Sequence, residues 1–339
     1  MVTGHSGFKG AWLSLWLQSI GADVTGLAAG APRGGGLYEL AGIAAHMREL
    51  RADARDGGGM LAAVREARPE VIFHLAGQPL VRRSLQDPAT TFAVNLMGTV
   101  NLLEAVRRAG EEVRAVVVVT SDKCYENPSA GQRSFAEGDP LGGADPYSSS
   151  KACAELVTSA YRRSFFDGEG APRIATARAG NVIGGGDWGQ DRLVADSVRA
   201  VAAGRALSVR NPDAVRPWQH VLNPLAGYLR LVEELFQRPE VARAWNFGPA
   251  AEEARPVSWI VERLDELWEG KLSWELDRGA NPPEAPRLTI DSSSARRELG
   301  WSPSWGLEDA LELVVEWHRA HLVGEDMREV SLGQIARFY

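Results

Sequence analysis

The chain has 339 residues, with 37 Lys and Arg against 44 Asp and Glu, a formal net charge of −7 and a pI near 5.5. That balance argues against nucleic acid as a partner, because phosphate backbones are held mainly by clustered Lys and Arg; an anionic ligand must meet local positive charge instead. Only two cysteines, Cys124 and Cys153, are present, without metal-ligand spacing, and no apolar run approaches the roughly 18 residues of a membrane span, so we expect a cytoplasmic protein without a metal or a membrane.

The chain opens on Val2-Thr3 and the glycine-spaced turn Gly4-His5-Ser6-Gly7-Phe8-Lys9-Gly10, followed by a helix expected over 9–20. Met1-Val2-Thr3 is barely half of a usual strand of about five residues, so either a late start or a shortened, weaker central strand is expected. Strands are predicted at 22–27 and 71–75, with a third ending at Asp53, and helices near 58–67 and from about 88 to 110, where Arg107-Arg108-Ala109-Gly110 makes a basic last turn and a stop. The run 115–120 is apolar on consecutive residues, the pattern of a strand buried on both faces at the centre of a parallel sheet. A connection over 124–144 is too long to be a simple link. A helix at 147–165 and a strand at 173–178 come next. Past Gly180 the pattern changes, with helices at 191–204, 221–237 and near 257–268, 292–298 and 307–322, and short strands at 207–211 and 244–247. This alternation predicts an α/β fold: a doubly wound parallel sheet over 1–180, to which segments at about 215–250 return, and a smaller mixed α/β lobe over 181–339 that takes the substrate.

Three motifs carry chemistry. A strand, a GxxGxxG turn and a helix form the geometry in which glycines admit a pyrophosphate to the backbone and the helix start supplies amide donors, which assigns Gly4, Gly7 and Gly10 to a dinucleotide. The acid that typically ends the second strand and binds the adenosine ribose is missing, since Ala28-Ala29-Gly30 stand there with Arg33 close by, and NAD and NADP both stay open. Asp53, at the end of the third strand, is placed to accept from the adenine amine. Tyr147 and Lys151 lie one helical turn apart on one face, so the ammonium can stand beside the phenol and favour the phenolate of a general base. Thr120-Ser121-Asp122-Lys123 ends the central strand on the edge where open α/β sheets bind ligands.

Together the segments TGHSGFKGAWLSLWL, HLAGQPLVRRS, TSDKCYEN, DPYSSSKACAELV, RAGNVIGGGDWGQDRLV and VRPWQHVLNPLAGYL resemble the extended short-chain dehydrogenase/reductase family, and within it the CDP-glucose 4,6-dehydratase group, from residue 3 to Gln334-Ile335. The resemblance implies a Rossmann-type domain, NAD, a nucleotide-sugar substrate such as CDP-glucose, and a homodimer through a four-helix bundle built from the helices at about 88–110 and 147–165. It implies cofactor contacts from Gly4, Ser6, Gly7, Phe8, Lys9, Gly10, Asp53, Ala54, Leu75, Ala76, Tyr147 and Lys151. It also implies that Tyr147 takes the sugar 4′-hydroxyl proton, Lys151 holds the ribose, Ser121 polarises the 4′-oxygen, Asp122 is the acid at the 6′-oxygen and Lys123 is the base at C5′. Gln78 and Ser84 fall in the segment lining the sugar, and Asn181, Arg192, Leu193, Arg210 and Arg216 in the blocks that meet the nucleotide and its diphosphate, where arginine's planar fork suits phosphate. Trp188, Trp218, Trp245 and Trp301 are read mainly as core. The chain departs from the family pattern at Ala29-Gly30, Leu85 and Ala195, and before Glu284-Ala285. A 4-epimerase or a dehydratase for another nucleotide sugar, and a non-catalytic NAD(P)-binding protein, are the alternatives.

Overall fold

The computed structural model describes residues 1–30, 34–109, 112–127, 133–279 and 284–338. Strands β1 (Val2–Thr3), β2 (Thr25–Ala28), β3 (Arg48–Arg51), β4 (Val71–His74), β5 (Ala115–Val119) and β6 (Arg173–Arg178), with a late strand Ala244–Asn246, form one all-parallel sheet. Its order is the late strand, β6, β5, β4, β1, β2, β3. That order reverses direction between β1 and β4, and such a switch point leaves a crevice outside the strands' carboxyl ends. All five residues of β5 are buried, as its unbroken apolar run requires when both faces are covered.

The short first strand still joins both neighbours. Val2 and Thr3 pair with Gly26 and Leu27 on one side and with Phe73 and His74 on the other. The ladder runs on beyond it, Phe73 N–H donating to Met1 O at 2.9 Å and Gly4 N–H to Leu27 O at 2.7 Å.

Two apolar cores are the largest among the described residues. The larger gathers Trp12 and Trp16 of the first helix (Phe8–Ser19), β5, the helix Leu222–Gln237, Trp245, Trp301, Trp317 and Ile335. The smaller gathers Ile183, the helix Leu193–Ala203, Trp218, the helix Val257–Leu267 and Leu311. Chain from beyond residue 220 lies in both: the helix at 222–237 covers β5, while the helix at 257–267 packs in the smaller core. The expected helix at 88–110 is three segments in one path, Pro88–Phe92, a π-helical turn Ala93–Met97 and Gly98–Ala109. A final helix, Met327–Phe338, was not expected; Phe338 packs edge-on against Trp16 at 5.4 Å and Ser331 Oγ accepts from Trp317 Nε1 at 2.9 Å.

Candidate active site

The turn after β1 is closed to side chains. Gly4 has φ +71°, and a Cβ there would lie 2.7 Å from Ala76 N, while a Cβ on Gly10 would lie 2.8 Å from His5 Cα and closer still to the Gly4 carbonyl. Gly7 is less crowded, its would-be Cβ 3.3 Å from Gly4 O. Gly7 is also the N-cap of the first helix, and no side chain caps it, so the first amide donors face the crevice. These features fit a dinucleotide pyrophosphate. Ser6 and Phe8 flank the same turn, with Phe8 against Gly184 of the lobe. Ala76 N–H donates to Thr3 Oγ1 at 3.2 Å, which fixes Leu75 and Ala76 beside it. Asp53 follows β3 and is paired with Arg55 (2.6 Å), and Ala54 O accepts from Asn101 at 2.8 Å. Arg33 lies outside the described residues.

The helix Pro146–Phe165 starts on Asp145, whose carboxylate accepts from Ser148 N at 3.0 Å, with Pro146 in the first turn where its missing N–H costs nothing. Tyr147 and Lys151 are both buried on it. Ser121 neighbours the Tyr147 phenol, Ser121 Oγ donates to Asp122 Oδ1 at 3.0 Å, and Lys123 N–H donates back to Ser121 Oγ at 3.2 Å. The strand end and the helix start therefore bring a phenol, a hydroxyl and a carboxylate together. Asp122 is 2 % exposed and its Oδ2 has no partner among the described residues. Gly180 stands against that oxygen, where any Cβ would collide with it.

Burial raises the Tyr147 phenol to about 12, with Asp122 adding to the rise and Ser121 and Arg192 opposing it. Lys151 was expected beside the phenol; its Nζ donates to Val119 O at 3.3 Å, and burial lowers it to about 8. Lys9 is also lowered, to about 7, by burial first and then by Arg192 and Lys151, which places three cations around one cleft. A phenolate in this cleft thus depends on positive charge gathered around it.

The structure brings Arg192 to this centre, where it pairs with Asp187 at 2.6 Å and begins the helix at Leu193. Arg210 and Arg82 converge on Asp191, each at 3.4 Å. Asn181 precedes the strand Val182–Ile183, its carbonyl accepting from Gln219 N at 3.2 Å. Arg216 is buried and paired with Glu284 at 3.1 Å. Gln78 and Ser84 are engaged within the protein. Gln78 donates to Leu80 O and Thr91 Oγ1, both at 3.0 Å. Ser84 has no exposed surface, donates to Val81 O at 2.6 Å and accepts from Tyr147 N at 3.1 Å, so it holds the start of the Tyr147 helix. Trp218, Trp245 and Trp301 are buried, and Trp188 packs edge-on against His318 at 5.5 Å.

Sequence reasoning missed Asn95. Its Oδ1 accepts from Gln78 N at 2.7 Å and its Nδ2 donates to Ser150 Oγ at 2.9 Å, tying the loop after β4 to the Tyr147 helix. The π turn that carries Asn95 is a shape often found at functional sites. A single Asn inside a helical stretch gives no warning of it.

The model of the GDP-mannose 4,6 dehydratase family matches residues 1–314. The chain belongs to that family. It is 45 % identical to a CDP-glucose 4,6-dehydratase of Salmonella typhimurium, covering 99 % of this chain and 95 % of the relative, and 31 % identical to a UDP-glucose 4-epimerase of Mycolicibacterium smegmatis, covering 94 % and 98 %. Among solved structures it resembles the Thermus thermophilus UDP-glucose 4-epimerase complex with NAD (TM-score 0.78, 26 % identity, 94 % and 98 % covered). The fold also matches DesIV, a dTDP-glucose 4,6-dehydratase from Streptomyces venezuelae with NAD bound (TM-score 0.79, 24 % identity, 96 % and 98 % covered). Among the described residues no helix is long and apolar enough to cross a membrane.

Proposed function

We propose that the chain converts CDP-glucose to CDP-4-keto-6-deoxyglucose, with NAD regenerated in each turnover, as a step toward deoxysugars. The observation that carries this reading is Asp122, a buried carboxyl with one oxygen unpartnered among the described residues, which accepts from Ser121 beside Tyr147. An epimerase has no leaving hydroxyl to protonate and no use for such a group at this place. The 45 % identity to a CDP-glucose 4,6-dehydratase over nearly the whole chain supports the same reading.

NAD, when bound, accepts a hydride from C4′ of the sugar and returns it to C6′. Gly4, Gly7 and the first amides of the helix Phe8–Ser19 hold its pyrophosphate, and Lys151 its ribose. Tyr147 takes the 4′-hydroxyl proton while Ser121 orients that oxygen. Asp122, buried beside Ser121, is the carboxyl that gives a proton to the departing 6′-oxygen. Lys123, half-buried on the next residue, takes the C5′ proton and returns one to C5′ when the hydride reaches C6′. Arg192 and Arg210 exchange Asp187 and Asp191 for the diphosphate, whose geometry suits their planar forks. Incubation with CDP-, UDP-, dTDP- and GDP-hexoses without added reductant tests the reading. A 4-keto-6-deoxy product from CDP-glucose is expected, and conversion of UDP-glucose to its 4′-epimer without keto product would refute it.

We also read the paired helices Gly98–Ala109 and Pro146–Phe165 as the seat of a second copy, giving a homodimer through a four-helix bundle. Leu156 and Phe165 on the second helix are 58 and 53 % exposed, and Met97, just before the first, 47 %, apolar surface that a partner would cover. Sedimentation of the wild type and of Leu156→Glu tests this, with a dimer expected only in the first.

A further inference from the structure

Behind the catalytic turn lies a buried ion pair that the reaction does not touch. Glu155, two helical turns after Tyr147, and Arg178, the last residue of β6, pair at 2.8 Å with both side chains 3 % exposed. Glu155 also accepts from Thr120 Oγ1 and, at 2.7 Å, from Thr176 Oγ1. Arg178 donates to the Tyr125 hydroxyl at 2.8 Å and to Glu137 O at 3.1 Å, and its guanidinium lies 4.9 Å from the Tyr125 ring centre. The Tyr125 hydroxyl in turn donates to Asn246 Oδ1 at 2.7 Å.

Thr120 and Tyr125 are the residues on either side of the segment that carries Ser121, Asp122 and Lys123. Both ends of that turn are thus fastened to the same pair, which also sits on the helix of Tyr147 and Lys151. Burying two charges is expensive, and apolar side chains of similar volume often fill such a space with equal or better stability. What an apolar filling lacks is direction: it would not fix the two turn ends by hydrogen bonds to one rigid fork and one carboxylate.

We propose that Glu155 and Arg178 are positioning residues for the elimination half of the reaction, holding the Ser121–Cys124 turn so that the Asp122 carboxyl keeps its place relative to Tyr147. This rests on the dehydratase reading. Tyr147 and Lys151 are carried by their helix and keep their place without the clamp; Asp122 and Lys123 are carried by the turn and do not. Loosening the clamp therefore slows elimination far more than sugar oxidation.

The test compares Glu155→Gln and Tyr125→Phe with wild type in three measurements. The first is complete dehydration of CDP-glucose. The second is oxidation alone, followed by reduced-nicotinamide absorbance with CDP-6-deoxyglucose, which has no 6′-hydroxyl to expel. The third is amide hydrogen exchange over 120–126 in the protein without substrate. Displacements of about 1 Å can cost on the order of 100-fold in rate, so Glu155→Gln is expected to lose about that much dehydration while its oxidation falls at least tenfold less. Tyr125→Phe, which removes one hydroxyl and keeps the ion pair, is expected to show the same split at smaller size, and both variants to lose protection over 120–126. Equal loss in both rates, or unchanged rates and exchange, would overturn the proposal; if Glu155→Gln does not fold, Tyr125→Phe decides. A wild-type chain inert toward CDP-glucose would sink the functional reading instead, while the exchange measurement would still report on the clamp.

Discussion

Alanine at Gly10 and at Gly7 should damage the protein in different ways, although both belong to one glycine motif. A Cβ on Gly10 would lie 2.8 Å from both Gly4 C and His5 Cα, all of it backbone that cannot turn aside. Gly10 lies inside the first helix, where alanine is favoured over glycine by about 1 kcal/mol. Overpacking of this kind costs about 1–3 kcal/mol and exceeds that gain when the neighbour is backbone, so Gly10→Ala should be less stable by up to about 2 kcal/mol with or without cofactor. Gly7 has φ −79°, ordinary for any residue, and its Cβ would meet only Gly4 O, at 3.3 Å. Its methyl would instead stand where the pyrophosphate approaches the backbone. Gly7→Ala should therefore keep the melting temperature of the apo protein and lose NAD affinity. Thermal melts of the apo proteins and NAD titrations by calorimetry separate the two effects. Apo stability lowered more by Gly7→Ala than by Gly10→Ala would refute the reasoning.

Asp122→Asn should bind NAD as the wild type does, oxidise substrate and dehydrate it on the order of 100-fold or more slowly, read by product formation; unchanged turnover would remove Asp122 from the acid role. With Lys151 in its proposed role as an ammonium, lowered by burial to about 8, its charged form is lost as pH rises through that value and kcat/KM should fall on the alkaline side near pH 8; a profile flat to about pH 9.5 would contradict this. His74, His220 and His318 are 2, 0 and 1 % exposed, and burial depresses them to about 3, 3 and 4. Their neutral forms stabilise the fold above the unfolded value near 6.5, and that stability is lost as pH falls below it, by about 1.4 kcal/mol per pH unit for each histidine. Melting temperature measured between pH 7 and pH 5 should therefore drop, and a flat response would count against burial of all three.

The central strand, the glycine turn, the Tyr147-to-Lys151 spacing and the Ser121–Lys123 run were legible because each rests on a local pattern: an apolar run, a glycine repeat or a single helical turn. The 45 % identical dehydratase and the shared fold agree with what those motifs implied. What escaped was long-range. Asn95 matters only because folding brings it to Gln78 and Ser150, 17 and 55 residues away. Ser84, expected along the sugar, is consumed in holding the Tyr147 amide, and only the packed structure shows that its hydroxyl is already engaged. The helix Met327–Phe338 escaped because Gly333 interrupts it and its apolar residues follow no clear stripe; it is held by Trp16 and Trp317 rather than by its own pattern.

The most direct test of the account is to supply CDP-glucose deuterated at C4′ and to find where the label ends. The roles proposed for Tyr147 with NAD at C4′, and for Asp122 at C6′, require the label to leave C4′ and to appear at C6′ of a 4-keto-6-deoxy product without passing through solvent. Label retained at C4′, in substrate or in an epimer, would show that the Asp122 site performs no elimination.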